Sequence, residues 1–164
     1  MRSRGGFTLL ELILVLLLIS TVLAMAAPSL RGFCASRETA DAAARLLALT
    51  QFARSHAAAE GRDYRLYVDA DARTCWLAGQ QSGAFVETKS GVGRGFDFPD
   101  GLSVRLVGGS GGTGSPDYVQ FHPDGRAEEA TIEVTGRRGG VFRVVCESAT
   151  ERFRVLTPAE GSRS

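Results

Sequence analysis

The residue types that most often carry chemistry are scarce in this chain. Its 164 residues include two histidines and three cysteines. Cys34, Cys75 and Cys146 are far apart and form no C-x-x-C pair, and neither histidine has a cysteine or second histidine at ligand spacing. A zinc site and a thioredoxin-like redox motif are therefore set aside. His56 falls in a helical stretch and His122 in a turn before Pro123, and both read as structural. Lys89 is the single lysine among 19 basic residues, which face 18 acids for a formal net charge of +1. No overall positive field points to a nucleic-acid partner. Nothing calls for a cofactor or a metal, and an enzyme is the weakest reading.

What the chain does have is a change of character near Gly61. The first 60 residues are rich in Leu and Ala, which suit a helix, whereas Val, Thr, Phe, Tyr and many of the 20 glycines follow and suit a sheet. Phe7 to Ala27 is a 21-residue apolar run interrupted only by Thr8, Glu11, Ser20 and Thr21. At about 1.5 Å per residue it is long enough to cross a hydrocarbon core about 30 Å thick. Arg2 and Arg4 precede it, which places the leader in the cytoplasm and the remainder outside. Two processing routes fit. Ala24-Met25-Ala26 matches a signal peptidase site that would release a soluble secreted domain. Glu11 points the other way, because a carboxylate in a spanning helix costs several kcal/mol unless it finds a partner, roughly 3 kcal/mol on insertion scales, and so marks a functional position.

Gly6-Phe7-Thr8-Leu9-Leu10-Glu11, after a short basic leader and before an apolar helix, resembles the class III signal of type IV pilins and type II secretion pseudopilins. The resemblance implies cleavage by prepilin peptidase after Gly6, methylation of the new amine of Phe7, and retention of the apolar segment. It also implies that Glu11, then fifth in the mature chain, meets the terminal amine of a neighbouring subunit during assembly. Pro28 reads either as a kink within a longer helix, as pilins commonly have, or as the end of a membrane helix.

Beyond Pro28, Ala42, Leu46, Leu49, Ala53 and Ala57 recur at helical spacing, with Arg37, Asp41 and Arg45 as an i,i+4 row elsewhere on the surface. Gly61 is the expected stop. The period then shifts to two: 64–68 and 74–78 read as a hairpin about the turn 69–73, and 102–107, 118–121, 131–135, 141–146 and 152–155 as later antiparallel strands. Ile132, Val134, Phe153 and Val155 are expected inward, with Glu133 and Arg154 outward. Gly108 to Pro116 reads as a flexible loop. Cys75 and Cys146, both in expected strands, are either bridged, a link worth about 4 kcal/mol, or buried as free thiols; Cys34 has no assigned role.

Ala27-Pro28-Ser29-Leu30, Ala53-Arg54-Ser55 and Phe121-His-Pro-Asp-Gly125 look like the GspH/FimT family of minor pseudopilins and minor pilins. The implied fold is α+β, a long N-terminal helix packed on antiparallel sheet. The implied plan is a leader at 1–6, the membrane and assembly half of the helix at 7–28, its amphipathic half at 29–61, a β domain at 62–157 and a tail at 158–164. The implied function is a minor pseudopilin at or near the tip of a type II secretion pseudopilus. It would be anchored in the inner membrane, with other minor and major pseudopilins, prepilin peptidase, and exported proteins or secretin as partners. The alternative is a FimT-like minor pilin of type IV pili, in which nucleic acid becomes a partner. Its candidate phosphate-binding set is Arg126, Arg137, Arg138, Arg143, Arg152 and Arg154. Residues 126–164 hold seven arginines against six acids, an excess of one.

Three catalytic or metal patterns are discounted. Gly108-Gly-Ser110-Gly-Gly112 and Gly109-Ser-Gly111-Gly-Thr-Gly114 match nucleophile-elbow and dinucleotide spacings, but Ser115-Pro116-Asp117 follows where a helix must start. Asp69-Ala-Asp71 opens like a calcium loop, yet Arg73 and Gln80 stand where ligands are needed.

Overall fold

A computed structural model describes residues 8–89, 91–112 and 115–157, with backbone alone for 25–35, 112 and 115. The leader, Phe7, the tail 158–164 and the side chains of Pro28 and Cys34 lie outside the described residues. The chain divides into two units, residues 1–35 and 36–164. Helix α1 runs Leu9–Glu60, so Pro28 does not end the helix.

The stop comes where the sequence places it. Gly61 takes φ 65°, a left-handed conformation natural to glycine, and the amide of Arg62 donates back to the Ala57 carbonyl at 3.3 Å. This Schellman pattern satisfies one of the helix's last carbonyls. The chain then enters β1 (Tyr64–Asp69) and returns as β2 (Thr74–Gln81). The turn between them is fixed by the Ala72 amide on Asp69 Oδ1 at 2.7 Å. Next come β3 (Ala84–Glu87), β4 (Phe96–Asp97), β5 (Ser103–Gly108), β6 (Ser110–Gly112), β7 (Ser115–Phe121), β8 (Ala130–Thr135), β9 (Val141–Cys146) and β10 (Arg154–Leu156).

The strands form two antiparallel sheets. One is ordered β3-β2-β1-β7-β6 with β4 also on β2, and the other β10-β9-β8-β5. The segment 108–116, expected as a loop, is partly sheet: β6 pairs with β7 through a register shift between Ser110 and Gly112. Such an irregularity hides a strand from a two-residue period.

The core lies between the second half of α1 and both sheets. Ala42, Leu46, Leu49, Ala53 and Ala57 are all buried, and so are Leu66, Leu77, Val119, Phe121, Ile132, Val134 and Val144. The Arg37, Asp41 and Arg45 row is exposed. Burial of each large aliphatic side chain contributes about 1.5–3 kcal/mol. Thr50, also buried, turns its hydroxyl onto the Leu47 carbonyl at 2.8 Å, so the helix keeps a polar residue inside without an unsatisfied group. Phe153 is buried as expected, whereas Val155 is only partly so.

Candidate functional site

Four polar residues interrupt the apolar start of α1, and the structure accounts for three. The amide of Glu11 donates to the Thr8 hydroxyl at 3.2 Å, which makes Thr8 the N-cap of the helix and Thr8-Leu9-Leu10-Glu11 a capping-box sequence. Ser20 and Thr21 return their hydroxyls to the Leu16 and Leu17 carbonyls at 2.7 and 2.8 Å, so neither needs water. The fourth is the Glu11 carboxylate, which is exposed. Among the described residues no cation lies within ion-pair distance of it.

Around Glu11 the helix is apolar on every side. Leu9 is 78% exposed and even Val15 is 44% exposed. A helix apolar all round belongs in lipid or among other helices. The described apolar side chains, Leu9 to Ala24, cover about 24 Å of helix axis. Among the described residues no helix is long and apolar enough to cross a membrane.

In the body, long polar side chains fasten α1 to the strands. Arg54 donates to three carbonyls: Gly125 at 2.6 Å, Thr150 at 2.9 Å, and Glu151. One planar guanidinium thus fixes the turn after β7 and the loop between β9 and β10. At the helix end, Glu60 accepts from His56, from the Tyr64 hydroxyl at 2.8 Å and from Arg62. These bonds, those from His56 and Tyr64 first, hold its carboxyl down to about 2 from 4.5. His122 Nδ1 lies 3.1 Å from Asp63 Oδ1, so both histidines serve local packing. Arg54 was legible only as part of a motif, because carbonyl acceptors leave no mark in sequence.

The residues flagged for other chemistry do not converge. Cys75 and Cys146 lie in different sheets and are free thiols, so the bridge that the sequence allowed is not formed. Cys75 lies 3.8 Å from the Phe96 carbonyl, and burial pushes its thiol up to about 12. Burial also raises Cys146, which points at the Ser148 carbonyl. Neither is a nucleophile at neutral pH. Of the six arginines offered for phosphate binding, Arg126 pairs with Asp124, Arg143 with Glu133 and Arg154 with Glu147, while Arg137 holds the Asp100 carbonyl. Among the described residues there is no group of three or more His, Cys, Asp or Glu placed to hold a metal. The arrangement supports helix packing and charge pairing.

The family model described as type II transport protein GspH matches residues 42–152, and the prokaryotic N-terminal methylation motif matches residues 1–27. The fold is similar to that of the minor pseudopilin EpsH from the type 2 secretion system of Vibrio cholerae. That match has a TM-score of 0.64 at 15% identity and covers 75% of this chain and 99% of that one. It is also similar to the type IV minor pilin FimU of Pseudomonas aeruginosa, with a TM-score of 0.53 at 18% identity over 75% of this chain and 91% of that one. No curated protein sequence matches.

Proposed function

Because this chain belongs to the GspH family of type II transport proteins, we propose that it works as a minor pseudopilin, a structural subunit at or near the tip of a secretion pseudopilus. The observation that carries this reading is Glu11. It is the one polar group in the apolar half of α1 for which the described chain offers no partner, and it follows an N-terminal methylation motif. Prepilin peptidase cuts after Gly6 and methylates Phe7. The apolar segment then holds the subunit in the inner membrane in a single pass, with the body in the periplasm.

On assembly the helices of neighbouring pseudopilins take the place of lipid around Leu9 to Leu23. There the Glu11 carboxylate meets the amine of a neighbour's first residue. A carboxylate in that setting is costly alone and stabilising when paired. Secretion is favoured over a DNA-handling minor pilin because most of the arginines that would meet phosphates are already engaged within the body. Intact-mass measurement of the membrane-extracted protein tests the reading. The expected species starts at methylated Phe7, and a chain beginning near Ala27 would overturn it.

A further inference from the structure

The outer face of the larger sheet carries a second packed layer. Along β2, Cys75 and Leu77 turn into the core, so Trp76 and Ala78 face away from it, as do Arg65 and Tyr67 on β1 and Tyr118 and Gln120 on β7. Tyr67 stacks on Trp76 with centroids 5.3 Å apart and planes at 12°, and meets Tyr118 at 5.5 Å. The Arg65 guanidinium sits between two rings, 3.8 Å from the centroid of Phe85 and 4.1 Å from that of Tyr118. Its Nε donates to Gln120 Oε1 at 3.1 Å. Ala78, on this outer face, is 2% exposed.

The solvent side of an antiparallel sheet is ordinarily polar. Cross-strand packing explains the stacked rings by themselves, but it does not explain the cation between Phe85 and Tyr118. Arg62, Arg73, Arg105, Arg126, Arg143 and Arg154 each hold a carboxylate of this chain. Among the described residues none reaches Arg65. The two rings flank the guanidinium, and no hydrogen bond among the described residues uses its Nη groups, so this fork of donors remains for a carboxylate.

We propose that this face is a docking site for an acidic, extended segment of a partner protein, whose carboxylate enters the Arg65 fork and whose neighbouring side chains lie along Tyr67 and Trp76. A nucleic-acid strand fits less well. One cation does not track a phosphate backbone, and the ring faces on which bases would stack are taken up by each other and by the guanidinium. The site owes nothing to the N-terminal helix, so its failure would leave the pseudopilin reading intact.

The test uses the full-length, isotope-labelled protein in detergent micelles, followed by NMR at the Arg65 Nε–H and the Trp76 indole N–H. The probes are a blocked Gly-Glu-Glu-Gly peptide, its glutamine counterpart and a short oligothymidylate. The acidic peptide is expected to shift both signals saturably and the glutamine peptide to leave them in place. Arg65→Lys, which keeps the charge but loses the fork, weakens binding about tenfold. Phe85→Leu, which removes one wall and leaves the cation, also weakens it. Equal shifts with the glutamine peptide, or a stronger response to oligothymidylate, would overturn the proposal. So would no saturable response to the acidic peptide while Arg65→Lys merely lowers the melting temperature, which marks a stack that serves only the fold.

Discussion

At the first turn of α1, the Thr8 hydroxyl caps the helix by accepting from the Glu11 amide, and the Glu11 carboxylate is left exposed with its charge. The bond to Thr8 is made by the Glu11 backbone amide and survives either change; Glu11→Gln removes the charge and keeps the side chain's size and hydrogen bonding, whereas Glu11→Ala removes the whole polar group. Each variant is expected to be inserted and cleaved normally and to crosslink poorly to other pseudopilins; normal incorporation of Glu11→Gln would show that charge is not what assembly needs. Glu60 gives a second expectation. Its carboxyl ionises near 2 in the folded chain against an ordinary 4.5. A depressed folded value contributes stability that is fully present above about 4.5 and is lost as pH falls toward 2. Melting temperature should decline over that window, and Glu60→Gln should flatten its part of the decline. Glu11 was legible in the sequence because a charge stands out in an apolar run. Glu60 was not, since Arg62 and Tyr64 are turned back onto it, beside its i,i+4 neighbour His56, only by the helix stop at Gly61.

Among the elements, the helix and the long strands follow from periodicity because each buries one face, and the pattern records which. The stripe from Ala42 to Ala57 is read residue for residue, and Leu46→Ala is expected to cost about 2–5 kcal/mol in chemical denaturation, as transfer and cavity terms add. The division into two sheets was not legible, because pairing between strands distant in sequence leaves no local period. Strands β3, β4 and β6 were missed for a related reason. They are short, lie at or near a sheet edge, and bury no regular face that alternation would reveal. Close approaches are equally silent in sequence. A methyl group at Gly136, beyond β8, would run into the Thr39 hydroxyl on α1, whereas one at Gly140 meets nothing within 4 Å. Gly136→Ala should therefore lower the denaturation midpoint and Gly140→Ala leave it nearly unchanged. Equal effects would mean that the hairpin shifts to absorb the clash.

The whole molecule separates an assembly segment from a body that holds its own core, since every residue of the buried cluster lies at or beyond Ala42. A chain beginning at Ser36, where the second unit starts, is thus expected to be soluble, monomeric and folded, with a cooperative thermal transition. It omits the exposed apolar helix that would otherwise drive association. The same truncation removes Cys34 and leaves Cys75 and Cys146 as its only cysteines. Both are buried, and burial raises both thiols above their ordinary range. A thiol reagent at neutral pH should therefore label neither in the folded state and both after denaturation, and the native mass should match two free thiols even when the protein is made in the oxidising periplasm. Rapid labelling of the native chain would place one of these strands at the surface. A mass lower by two hydrogens would show that the sheets approach closely enough to bridge, and would bring back the disulfide that the sequence allowed.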